Sequence, residues 1–131
     1  MTDLPADVGR FLRGEADPTA FSHREHVRIA FEMLLRHDFV DTALRYSNAL
    51  RTLTARAGKP GKFHQTVTIA FLSLVAERMQ GEGRCDFDAF ARANPDLLDR
   101  AVLSRVYRPE RLASEAARTS FLLPEPLPPS A

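Results

Sequence analysis

Phe21-Ser22-His23-Arg24-Glu25-His26-Val27-Arg28-Ile29-Ala30-Phe31-Glu32-Met33-Leu34 is the stretch that decides the fold. Ser22, followed three residues later by Glu25, is a capping-box signature, so Ser22 reads as a helix N-cap. Behind it Val27, Ala30, Phe31 and Leu34 recur at i, i+3, i+4 and i+7, the spacing of one buried helical stripe. His23 extends that stripe one turn back, and His26 heads the neighbouring row through Ala30 and Met33. The helix is predicted to end near His37, whose place at a C-terminus suits the helix dipole and reads as structural.

The same logic carries outward in both directions. A short first helix runs from about Pro5 to Arg13, with Gly14 after its end. Asp38 caps a third helix that reaches about Ala57, with Gly58 as its stop. Val40, Ala43, Leu44, Leu50, Leu53 and Ala57 are its predicted buried side. Residues 58–62, Gly-Lys-Pro-Gly-Lys, form a tight reversal. A fourth helix is predicted from about Lys62 to Gln80, with His64 extending its stripe of Val67, Phe71, Leu74 and Val75 into the first turn. Asp86 caps a short helix through Phe90, Asn94-Pro95 opens one through Leu103, Pro109 starts a turn, and Ser114 begins a last helix.

Strand-like alternation is missing. The expectation is therefore a single all-α domain over residues 1–123: a bundle of about four main helices with short C-terminal helices packed on it. Residues 124–131 are a Pro-rich tail that reads as a surface strap or a disordered end.

Composition narrows the function. The chain has 131 residues, 44% apolar and 27% charged, with a formal net charge of +1. Such a balance lacks the basic footprint of a nucleic-acid binder. The single cysteine, Cys85, precludes an intramolecular disulfide and a paired-cysteine zinc site, and fits a reducing cytoplasm. It has no identifiable activating partner, so it reads as inert. The N-terminus has neither the basic start nor the apolar run of a signal peptide. The longest apolar run, residues 69–76, is too short to span a bilayer. A cytoplasmic protein with a small-molecule substrate and no nucleic-acid or membrane partner is expected.

The chemistry concentrates in three histidines. His23 and His26 lie three apart and share a helical face. His64 sits at the start of the fourth helix. Short loops make sequential helices antiparallel, so the second and fourth run parallel and their N-termini share one end of the bundle. That end also receives the basic loop from Arg56 to Lys62. Three neutral imidazoles suit a divalent transition metal (zinc, iron, copper or nickel) and leave positions open for water or substrate. The expected ligands are His23, His26 and His64. Gln65 and Thr66 would orient His64 or touch substrate, and Tyr107 would donate a proton. Helix N-termini disfavour a cation, and with Lys59 and Lys62 they favour an anionic substrate.

Plainer roles compete at each position. His26 also falls where it can staple against Phe21. Thr66 can bond a helix carbonyl. Tyr107, between Arg105 and Arg108, fits a half-buried packing role, and Lys59 and Lys62 fit solvated loop charges. The alternative to a metal-dependent enzyme is a non-catalytic helical module that binds a ligand or protein, with structural histidines. A metal-free acid–base enzyme is a third reading.

Residues 21–31, Gly61-Lys-Phe-His-Gln-Thr66, Asn94-Pro-Asp-Leu-Leu98 and the late Tyr107, Glu110-Arg-Leu-Ala-Ser114 and Phe121 together resemble a family of small, all-helical bacterial proteins of unassigned function. The family carries His-x-x-His and [Phe/Tyr]-His-x-Thr motifs. The likeness spans most of residues 20–124. It implies that His23, His26, His64 and Thr66 belong to one site. The family pattern commonly reads Tyr-His-Glu-Thr where this chain has Phe63-His-Gln-Thr66, so Gln65 stands in place of a carboxylate.

Overall fold

A computed structural model describes residues 4–81 and 85–125. The chain is all-helical, and no strand occurs among the described residues. The α-helices are α1 (Ala6–Leu12), α2 (His23–Arg36), α3 (Phe39–Arg56), α4 (Gln65–Gly81), α5 (Phe87–Ala93), α6 (Pro109–Leu112) and α7 (Glu115–Thr119). Short 3₁₀ turns lie at Pro18–Ala20, Pro60–Lys62, Pro95–Leu98 and Arg100–Arg105. The tail expected at 124–131 is described only as far as Glu125, and its remainder lies outside the described residues.

Four helix starts follow directly from their caps. Ser22 Oγ accepts from the Glu25 N–H at 3.2 Å, Asp38 from Asp41 at 2.8 Å, Asp86 from Ala89 at 2.9 Å and Ser114 from Ala117 at 3.2 Å. Each satisfies a backbone donor that the first helical turn leaves orphaned. Among the described residues, only half of the capping box at Ser22 forms. The Glu25 carboxylate instead pairs with Arg28, which also bonds Asp7 on α1. His37 closes α2 and pairs with Asp41 at 3.3 Å.

Gly14 and Gly58 end α1 and α3 with φ of 76° and 74°. At each, a 6→1 bond follows the glycine: Glu15 N–H to Arg10 O and Lys59 N–H to Thr54 O, both 2.9 Å. This is the Schellman closure, which favours a residue without a Cβ.

α2 is buried on two sides. Its Ile29, Ala30 and Met33 pack with Val8 and Phe11 of α1, Tyr46, Ala49, Leu50 and Leu53 of α3, and Leu72 of α4. Its Val27 and Phe31 pack with Val75, Phe87, Phe90 and Leu97. A third cluster sets Val102, Leu103 and Tyr107 against Val67, Ala70, Phe71 and Leu74 of α4. Each large side chain so buried contributes roughly 1.5–3 kcal/mol.

Three sequence expectations are corrected. On α3 the buried row is Thr42, Tyr46, Ala49, Leu50 and Leu53, whereas Val40 and Leu44 are 77% and 63% exposed. Ala57 is exposed as well. Two rows of α3 carry apolar residues, and the one holding Tyr46 wins because its ring packs on Phe11 at 5.3 Å. The helix expected over 94–103 is two 3₁₀ turns broken at Asp99, which is extended and caps the second turn through Ala101 N–H at 2.9 Å. Finally, α4 begins at Gln65 rather than Lys62, because Pro60–Lys62 forms its own turn.

Arg78 of α4 grips the 95–105 segment. It bonds Asn94 Oδ1 at 3.0 Å and both oxygens of Asp96 at 2.9 and 2.7 Å. The bidentate guanidinium holds the Asp96 carboxyl down to about 2. This anchor fixes the segment that carries Arg100 and Leu103.

Candidate functional site

The beginnings of α2 and α4 meet at one end of the bundle around an open cavity of about 750 Å³. Phe21, Leu50, Leu53, Val67, Phe71 and Leu103 supply much of its apolar wall. His23, His26 and His64 all line it, as do the cations Arg56, Lys59, Lys62 and Arg100. Among the described residues no carboxylate lines it. Among the described residues, Lys59, Lys62 and Arg100 have no carboxylate within ion-pair distance. Arg56 is tied down: its Nη1 donates to Gly14 O at 2.7 Å and Ala16 O at 2.6 Å.

The three imidazoles share the cavity but differ in what they can offer it. His64 is the N-cap of α4. Its Nδ1 accepts from the Val67 N–H at 3.1 Å, and its carbonyl accepts the first helical bond, from Thr68 N–H. Its Nε2 donates to Leu112 O at 2.7 Å. A carbonyl can only accept, so Nε2 carries the proton and Nδ1 the engaged lone pair. Both ring nitrogens of His64 are therefore committed to the fold.

His23, the first residue of α2, donates from Nε2 to Leu97 O at 3.0 Å. Its Nδ1 has no hydrogen-bond partner among the described residues, and its ring meets Phe71 edge-on at 5.3 Å. The His26 ring lies tilted against Phe21 at 4.5 Å, which is the staple contact expected from its position. Phe21 in turn stacks on Phe11 at 5.1 Å. Burial, followed by the nearby His23 and Arg100, pushes the His26 imidazole down to about 4. It is neutral at physiological pH. Tyr46 donates its hydroxyl to the His26 carbonyl at 3.2 Å. Burial raises the Tyr46 phenol well above its ordinary value, so that proton stays in place.

The expected three-imidazole ligand set does not assemble. Among the described residues no three His, Cys, Asp or Glu side chains are grouped to hold a metal ion. The physical reason is that His64 has no lone pair to give while it caps α4 and reaches Leu112.

The other expected site residues lie elsewhere. Thr66 is fully buried, donates to Ser120 O at 2.7 Å and accepts from Leu122 N–H at 3.0 Å. Tyr107 is 2% exposed and donates to Leu122 O at 2.7 Å. Both pin the segment after α7. The Gln65 Oε1 accepts from Arg51 at 3.3 Å. None of the three lines the cavity.

Arg100, Tyr46 and Leu103 do line it, and no local motif marks them. Arg100 and Leu103 arrive through the Arg78–Asp96 anchor, which is a tertiary contact with no sequence spacing of its own. No helix among the described residues is long and apolar enough to cross a membrane. No protein-family model, curated protein or solved structure matches the chain.

Proposed function

We propose that the cavity binds a small organic anion with an apolar body. The observation that carries this is its lining: an apolar wall, four cations and, among the described residues, no carboxylate. A concave, mainly apolar site with a few convergent polar groups is the usual form of a small-molecule site. Cations without partners favour a negative head group, and the low dielectric of the apolar wall strengthens that attraction. Lys59 precedes the Pro60–Lys62 turn and Lys62 ends it, and both are exposed, so they would meet the head group first.

The neutral imidazole of His26 supplies a hydrogen-bonding group that lines the cavity. Binding of a metal by the three histidines would require His64 to leave its cap. The cavity therefore supports ligand binding better than a three-imidazole metal centre.

A charge series tests the proposal. 3-Phenylpropionate, its amide and 3-phenylpropylamine share a body and differ in the charge of the head. Calorimetric titration should rank them anion, then neutral, then cation. A K59E/K62E double variant should erase or invert the first step of that ranking. Equal binding of the three, or an unchanged ranking in the variant, would count against the cavity as an anion site.

A further inference from the structure

His26 carries the inference, which rests on the anion-site reading above. His64 has both ring nitrogens engaged and His23 has one. The His26 ring makes no hydrogen bond among the described residues, yet neither of its nitrogens is among the sealed, unpartnered polar atoms. Those are Arg36 Nε, Thr42 Oγ1, Ser47 Oγ and Arg118 Nε. His26 itself lines the cavity. Phe21 covers the ring, and the Tyr46 hydroxyl holds the backbone behind it.

We propose that His26 is a specificity residue, selecting anions that carry a hydroxyl group on their apolar body. A neutral imidazole presents one donor and one acceptor, and no bond within the described residues fixes its tautomer. A hydroxyl is both donor and acceptor, so it matches either tautomer. In the open cavity water can serve the ring. A ligand with a bare hydrocarbon body displaces that water and leaves the imidazole unpaired against Phe21. A hydroxyl in the right place restores the bond. The exposed lysines draw the charged head to themselves and leave the body for His26.

The test compares 3-phenylpropionate with its three ring-hydroxylated isomers, by calorimetry, on the parent protein and on H26F. Phenylalanine preserves the ring packing on Phe21 and removes both polar atoms. At least one isomer should bind the parent about tenfold to a hundredfold tighter than 3-phenylpropionate. H26F should abolish that gap, while H26Q, which keeps a donor and an acceptor, should retain part of it. Should a variant fail to fold, ¹H–¹⁵N spectra of the histidine rings in the parent protein serve instead. The tightest isomer should shift the His26 ring nitrogens towards one tautomer, and 3-phenylpropionate should not.

Equal affinities across the four acids in the parent protein would overturn the inference and leave the anion site standing. A uniform loss for all four acids in H26F would also overturn it, because His26 would then hold the head group. Failure of every acid to bind at millimolar concentration would overturn the anion site and this inference together.

Discussion

His64 Nε2 donates a hydrogen bond to the Leu112 carbonyl at 2.7 Å, while Nδ1 of the same ring accepts from Val67 N–H. One imidazole thus closes the start of α4 and ties the single turn of α6 to it. A residue at the mouth of a cavity is held rigid by the fold it helps to hold, and its lone pair is withdrawn from the cavity's chemistry. The polar work inside the cavity falls to His26 and, through Nδ1, to His23.

His64→Ala should destabilise the protein by about 2–3 kcal/mol, combining a lost N-cap with a lost hydrogen bond to Leu112. His64→Asn should recover part of that, because asparagine caps well but is too short to duplicate the reach to Leu112. Denaturant midpoints measure both, and a near-neutral His64→Ala would contradict the assignment. Added zinc, iron or copper should compete with the cap rather than reinforce it. A metal-dependent rise in melting temperature that His64→Ala abolishes would restore the three-imidazole centre.

Stability should fall as acid is added through the range set by His26. Its folded-state value of about 4 lies below the ordinary 6.5, so the unfolded chain binds a proton that the folded ring refuses. The corresponding stability is complete above pH 6.5 and is lost as pH falls towards 4, by roughly 3 kcal/mol. His26→Phe should flatten this part of the pH profile. A parent profile level from pH 7 to pH 4 would contradict the burial assigned to the ring.

Leu122 is held from both sides, its N–H by Thr66 Oγ1 and its carbonyl by the Tyr107 hydroxyl. Thr66→Val should cost about 1–3 kcal/mol and Tyr107→Phe about 1 kcal/mol. The double variant should cost less than the sum, because both bonds secure the same residue. Amide exchange at Leu122 should accelerate in each variant, while affinity for 3-phenylpropionate should change little. Loss of ligand binding in Thr66→Val at intact stability would return Thr66 to the site.

The helical fold is legible in the chain because its instructions are local. Ser22, Asp38, Asp86 and Ser114 each bond a backbone N–H three residues away, and Gly14 and Gly58 mark their helix ends by conformation alone. The meeting of His23, His26 and His64 at one cavity is legible too, since alternating helix directions bring the starts of α2 and α4 together. What the residues do there is not. Whether an imidazole offers a lone pair depends on Val67 N–H, Leu97 O and Leu112 O, and two of those partners lie far along the chain. The [Phe/Tyr]-His-x-Thr spacing looks the same whether Thr66 faces a substrate or, as here, Ser120 and Leu122. The apolar face of α3 is misread in part for a related reason: Leu50 and Leu53 are buried as expected, but Val40 and Leu44 have helical spacing as good as that of Tyr46, and only packing against α1 and α2 decides between the two rows.

The most direct test is an amide ¹H–¹⁵N titration of the parent protein with 3-phenylpropionate. Ligand in the cavity should give saturable shifts confined to residues 18–26, 46–71 and 100–103, weakening as salt is raised. Shifts that fail to saturate, or that centre on other surfaces such as the exposed Val40 and Leu44 of α3, would contradict it.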